Sequence, residues 1–99
     1  MLNIVKNYDG EKLTISLEGR LDTTTAPQAE SELGGAAEGV SALVLNLEKL
    51  EYISSAGLRV FLSLQKKAAG KCGMKLINVN EAVMEIFEVT GFSDILDIE

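Results

Sequence analysis

The 99-residue sequence contains no histidine and a single cysteine, Cys72. Serine–histidine triads, cysteine–histidine nucleophiles and zinc sites built from imidazoles or several thiolates therefore each lack a required member. One thiol cannot form an internal disulfide, which is typical of proteins in a reducing cytoplasm. These absences exclude most small catalytic and metal-binding domains. We predict no enzymatic activity, no metal site and no cofactor.

Basic residues are also few, with nine Lys and Arg against 15 Asp and Glu and a net charge of −6. The largest basic cluster is the pair Lys66-Lys67, so nucleic acids and anionic membranes would repel most of this surface. The N-terminus lacks a signal-peptide pattern, and no apolar stretch approaches the length of a membrane-spanning helix. We therefore expect a cytoplasmic protein that binds neither nucleic acid nor membrane, and for which a protein partner with a basic face is the better fit.

Strand-like and helix-like segments alternate along the chain. Apolar and polar residues alternate over Lys12–Glu18, as in a strand with one buried face, and Ala42–Leu47 is almost continuously apolar, as in a central parallel strand. The order predicts one α/β domain over residues 1–99, with a mostly parallel, mixed β-sheet of four to five strands and helices packed mainly on one face. The predicted strands are Leu2–Tyr8, Lys12–Glu18, Ala42–Leu47, Met74–Val79 and Ile95–Ile98, and the predicted helices follow Thr23, span Ser55–Ala69 and run from Asn80 to Thr90.

Two serines, Ser54 and Ser55, lie where the second predicted helix begins. Serine is a favoured N-cap residue, so capping alone would explain them. However, no Glu or Gln completes a capping box, and Gly57 in the first turn lowers the steric bulk beside the hydroxyls. A helix N-terminus also offers unpaired N–H groups and a partial positive charge, which favour an added phosphate. The residues leave two interpretations open, an ordinary cap and a phosphorylation site.

The segment from the central strand through Tyr52-Ile53-Ser54-Ser55-Ala56-Gly57-Leu58 resembles the STAS domain, and specifically the stand-alone anti-sigma factor antagonists of bacteria. Gly19-Arg20-Leu21-Asp22 resembles a second marker of that family, a turn before the first helix. The resemblance covers essentially the whole chain and implies the STAS fold. Family members carry Asp-Ser-Ser-Gly or Asp-Ser-Ala-Gly at this helix start, and the first serine is phosphorylated. By position that serine is Ser55, while Ser54 replaces the common aspartate and is an alternative acceptor.

The resemblance implies a partner switch. The unphosphorylated antagonist binds an anti-sigma factor that has serine kinase activity, and the phosphorylated antagonist is released. A reversible switch would also require a phosphatase. The partner-binding residues expected at this site are Asp22, Thr23, Ser54, Ser55, Gly57, Leu58 and Arg59. The alternative is a STAS subunit of a transport or sensory complex that is not phosphorylated, which the missing aspartate before Ser55 favours.

Overall fold

Residues 2–99 are described by a computed structural model of the chain. In this range the order of elements is β1 Leu2–Asp9, β2 Lys12–Leu21, α1 Ala26–Leu33, β3 Ala42–Asn46, β4 Leu50–Ile53, α2 Ser55–Ala68, β5 Met74–Ile77, α3 Glu81–Thr90, a short 3-10 helix Phe92–Asp94 and β6 Asp97–Ile98. The strands form one sheet in the order β1-β2-β3-β5-β6, and β4 also pairs with β2. The pair β1–β2 is antiparallel and the other pairs are parallel. The predicted α/β class with a mixed, mostly parallel sheet is confirmed.

One face of the sheet carries the hydrophobic core. Leu13, Ile15 and Leu17 of β2 are fully buried, whereas the polar residues that alternate with them are partly exposed. The buried face packs against the helices, and the rings of Phe61 in α2 and Phe87 in α3 meet there with their centroids 6.3 Å apart. The alternation of apolar and polar residues along β2 therefore indicates which face of the sheet the helices cover, as expected for a sheet with helices on one side. The predicted one-sided packing is confirmed.

The second half of β2 pairs with a strand that sequence reasoning did not find. Beyond the segment paired with β3, Gly19–Leu21 pairs with β4, and the register shifts next to Gly19, whose φ is 102°. The bulge lets β2 continue through residues that were assigned to a turn. In β4 only the two end residues are buried, so its four residues lack the alternation that marks a strand. The sheet therefore has six strands within residues 2–99 rather than four to five.

Most helix ends lie at residues that favour a helix start or stop. Helix α1 ends at Leu33, directly before the Gly34-Gly35 pair. Helix α3 begins after Asn80, whose Oδ1 accepts a hydrogen bond from the Val83 amide at 3.0 Å, and it ends at Gly91 with a φ of 82°. These are a favoured N-cap residue and a favoured C-terminal glycine.

The last strand is shorter than predicted, because the 3-10 helix occupies the chain directly after α3. Strand β6 is limited to Asp97–Ile98, and Ile95 lies outside it with 48% of its surface exposed. Between residues 2 and 99, no helix combines the length and the hydrophobicity needed to span a bilayer.

Helix α2 approaches the sheet very closely at Gly57. A Cβ atom at this position would lie 2.7 Å from Leu21 Cγ and 2.8 Å from Ile53 Cγ1, and both of those side chains are buried. Distances this short require the neighbours to move, so only glycine fits without repacking. The sequence-based interpretation, in which Gly57 gives a partner access to the hydroxyls, is replaced by a packing role. Gly57 sets the position of the first turn of α2.

The connection from β2 to α1 is a turn built on Asp22 and Thr25. Asp22 Oδ1 accepts hydrogen bonds from Thr24 Oγ1 at 2.7 Å, from the Thr24 amide at 3.0 Å and from the Thr25 amide at 3.2 Å. The buried Thr25 Oγ1 donates to the Arg20 carbonyl at 2.8 Å and accepts from the Asp22 amide at 2.9 Å. The hydroxyl of Thr24 makes the largest contribution to lowering the pKa of the Asp22 carboxyl, and the two amides lower it further. The carboxylate thus stabilises this turn in its charged form.

Replacing Gly57 with alanine is expected to destabilise the protein by about 1–3 kcal/mol, because the new methyl group overlaps Leu21 and Ile53. Gly35→Ala is the matched control, since a Cβ at Gly35 meets no atom within 4 Å and its φ is not positive. That variant should be neutral or slightly stabilising. Urea unfolding followed by circular dichroism measures both. Equal stability of the two variants would contradict the close-packing role.

Asp22→Asn tests the charge in the turn through its pH dependence. The folded pKa lies below the unfolded value of 3.8, so the charged carboxylate contributes stability above that pH. This contribution is lost as the pH falls through the lower folded pKa. The difference in unfolding free energy between parent and Asp22→Asn should be constant near pH 7 and shrink below about pH 3.8. Asp9→Asn, at the exposed end of β1, is the control. A difference that does not change with pH would contradict the role of the Asp22 charge.

Candidate functional site

Ser54 is the N-cap residue of α2. Its backbone is extended, with φ −93° and ψ 175°, and its Oγ accepts a hydrogen bond from the Gly57 amide at 3.4 Å. Its own amide donates to the Leu21 carbonyl at 2.8 Å, which ties the helix start to the end of β2. The side chain is only partly exposed. Ser54 is therefore the ordinary N-cap residue of α2, the first of the two interpretations given above.

Ser55 is the first residue of α2 and is exposed to solvent. Its hydroxyl makes no hydrogen bond to any residue of the described range 2–99. In the same range the amides of Ser55 and Ala56 have no protein acceptor, because the first bonds at this helix end are made by Gly57 and Leu58. An exposed hydroxyl next to free amides at the positive end of a helix can be reached by an enzyme and can accommodate negative charge.

An open groove of about 280 Å³ is lined by Ala56, the residue after Ser55, and lies between the N-terminal ends of α1 and α2. We call it the α1–α2 groove. Thr23, Pro27 and Glu30 line it on one side, and Ala56 and Arg59 line it on the other. Thr23 and Arg59 are both exposed. The structure thus brings these two predicted partner residues, which are far apart in sequence, to the same groove as the residue that follows Ser55.

The remaining predicted partner residues are less accessible. Asp22 keeps 26% of its side-chain surface exposed, but one of its carboxylate oxygens accepts the hydrogen bonds of the turn. Gly57 and Leu58 are buried, and Leu58 belongs to the hydrophobic core. That Gly57 and Leu58 contact a partner stays a prediction; in the free protein Gly57 packs closely against Leu21 and Ile53. The packing of Gly57 and Leu58 holds the first turn of α2, which also contains Ser55, against the rest of the domain.

A second cluster at this end of the sheet was missed by sequence reasoning. The Arg20 guanidinium lies 4.6 Å from the centroid of the Tyr52 ring, and its Nε is 3.8 Å from Asp22 Oδ2. Arg20 and Tyr52 are register partners in the β2–β4 pair, next to the buried partners Leu21 and Ile53. Alternation along the strands therefore places them on the face without helices. Their proximity depends on β4, which the sequence pattern did not indicate.

The comparisons with known proteins agree with this architecture. The family model of the STAS domain matches residues 3–99. An anti-sigma-B factor antagonist of Bacillus subtilis (strain 168) is 30% identical over 98 residues, which cover 98% of this chain and 90% of that protein.

Solved structures show the same fold. An anti-sigma factor antagonist from Mycobacterium paratuberculosis superposes with a TM-score of 0.89 at 22% identity, over 99% of this chain and 85% of the other. The Bacillus cell fate determinant SpoIIAA matches in its unphosphorylated form, at 19% identity, and in its phosphorylated form, at 20% identity, each with a TM-score of 0.72. Both comparisons cover 100% of this chain, with 87% and 91% of the respective SpoIIAA chains. From the sheet order, the helix positions and the match to the family model, the chain belongs to the STAS domain family.

Proposed function

We propose that this STAS domain is an anti-sigma factor antagonist that binds an anti-sigma factor when unphosphorylated and is released when Ser55 is phosphorylated. The observation that carries the proposal is that the two serine hydroxyls have different environments. Ser54 caps α2 with its own hydroxyl, and this leaves the Ser55 hydroxyl exposed and unused. The Bacillus subtilis relative bears the name anti-sigma-B factor antagonist, and SpoIIAA has been solved in a phosphorylated form. Both support the proposal.

Electrostatics explains how one phosphate can release a partner without refolding the domain. A phosphoserine adds a charge of about −1.5 to −2 at neutral pH. Within the domain, the free amides of Ser55 and Ala56 and the helix dipole can accept that charge. In a contact surface the same charge must be desolvated, or it is repelled by an acidic or apolar partner group. The modification therefore acts on the interface rather than on the fold.

The proposal makes this chain a binding module and not an enzyme. Its partner is an anti-sigma factor with serine kinase activity, and a phosphatase would reset the switch. Such a switch would act in the bacterial cytoplasm, which is consistent with a chain that has one cysteine and no disulfide. Ser54 in place of the usual aspartate removes one negative charge beside the acceptor, so the kinase must recognise a less acidic site.

A second function is favoured by that same replacement. A STAS domain that serves as a subunit of a transport or sensory complex needs no acceptor serine and no acidic residue before it. In that case the α1–α2 groove would still bind a protein, but negative charge at Ser55 would not regulate the contact. The two functions differ in one measurable property, the response of partner affinity to charge at Ser55.

Incubation with the cognate anti-sigma kinase and ATP is expected to add one phosphate, at Ser55. Ser55→Ala should abolish the labelling, whereas Ser54→Ala should retain it, because the Ser54 hydroxyl is occupied by the cap. The Ser54→Ala protein is expected to lose about 1 kcal/mol of stability through the lost cap, so its folding is checked by circular dichroism. Intact-mass and fragment mass spectrometry locate the phosphate. Labelling of the Ser55→Ala protein at Ser54 would move the assignment by one residue.

Ser55→Asp is expected to weaken binding to the anti-sigma factor by roughly 10-fold or more. Phosphorylation of Ser55 is expected to weaken the same binding by up to about 150-fold. The thermal midpoint of the free protein should stay equal or rise, because an acidic residue at the start of a helix interacts favourably with its dipole. Ser55→Asn is the uncharged control and should bind like the parent. Calorimetric titration measures the affinities. An unchanged affinity of Ser55→Asp would favour the subunit function.

A further inference from the structure

Arg59 lies one helical turn after Ser55 on α2, and it has no acidic partner in the described chain. Positions i and i+4 of a helix share one face, with Cβ atoms about 5–6 Å apart. Both side chains are exposed. Three ion pairs within 4.0 Å occur in residues 2–99, and Arg59 takes part in none of them. The guanidinium is therefore free in the unphosphorylated protein.

We propose that a phosphate on Ser55 is bound by the Arg59 guanidinium of the same helix, and that this pairing withdraws Arg59 from the α1–α2 groove. The inference rests on the proposed phosphorylation of Ser55 and names a regulatory step at that site. Arginine binds phosphate through paired, charge-assisted hydrogen bonds. The order is also favourable, because an acidic group N-terminal to a basic one at i,i+4 is the better orientation.

Glu30 is the other charged residue that lines the α1–α2 groove, and it could compete for Arg59. However, no Glu30–Arg59 pair forms within 4.0 Å, although both side chains lie at the same groove. A phosphate carries nearly twice the charge of a carboxylate and would be held on the same helix as Arg59. The phosphate is therefore the stronger acceptor for this guanidinium.

The pairing would change the groove in two ways at once. Arg59 is the single cation among the groove-lining residues, all of which lie in the described range. Without phosphate it is available to an acidic group on the anti-sigma partner. With phosphate, negative charge is added at Ser55, next to the groove residue Ala56, and the cation of the groove is neutralised. An acidic partner group that pairs with Arg59 in the unmodified groove would then meet uncompensated negative charge.

The test uses the full chain with phosphoserine installed at position 55 by genetic encoding, so that it needs neither kinase nor partner. The pH titration of the phosphate is followed by ³¹P nuclear magnetic resonance in the parent, Arg59→Gln and Lys66→Gln backgrounds. A neighbouring cation favours the dianion and lowers the phosphate pKa. We expect the pKa in the parent to lie about 0.15–0.4 below that in Arg59→Gln.

Lys66→Gln is the matched control, because it removes the same charge from the same helix at a point about 16 Å along the axis from Ser55, against about 6 Å for Arg59. Its phosphate should titrate like that of the parent, and Arg59→Lys should restore part of the difference. Equal pKa values in Arg59→Gln and Lys66→Gln would overturn the pairing while leaving the phosphorylation proposal intact. A failure of the kinase to label Ser55 would overturn the proposed function, whereas the titration would still report whether the pair can form.

Discussion

The geometry of the site depends on the close approach of α2 to the sheet at Gly57. Because this residue lacks a side chain, the first turn of the helix sits directly on Leu21 and Ile53. The Ser54 amide reaches the Leu21 carbonyl at 2.8 Å from this position. A larger residue would require the turn or the side chains of Leu21 and Ile53 to shift. The exposed position of Ser55 is thus a consequence of packing underneath it.

Two neighbouring serines have different environments because they differ by one position along the helix. The residue before the first helical position has an extended backbone, and its hydroxyl turns back to the amide three residues ahead. The next residue has helical geometry, and its hydroxyl points away from the chain. Ser54 and Ser55 follow this pattern. Ser54 supplies a capping oxygen without adding a negative charge.

Patterns with a local physical origin were predictable from the sequence. The alternation in β2, the apolar run of β3 and the third helix up to Thr90 each depend on a few adjacent residues, and the structure confirms them. Strand β4 was not predictable, because its four residues are buried only at the two ends and therefore lack the alternation of apolar and polar residues that marks a strand. The Arg20–Tyr52 contact and the α1–α2 groove depend on β4 and on helix packing. For the same reason the packing role of Gly57 was not predictable, because it depends on Leu21 and Ile53, which lie next to it only in the folded chain.

The bond between the Ser54 amide and the Leu21 carbonyl also has a kinetic consequence. It anchors the start of α2 to the longest strand of the sheet, so the site is presented on a rigid support instead of a mobile loop. Binding of a partner to such a support requires no prior ordering of a segment. The association rate is then set mainly by the relative orientation of the two proteins and by long-range electrostatic attraction. Covalent modification at this support would then act chiefly on the lifetime of the complex.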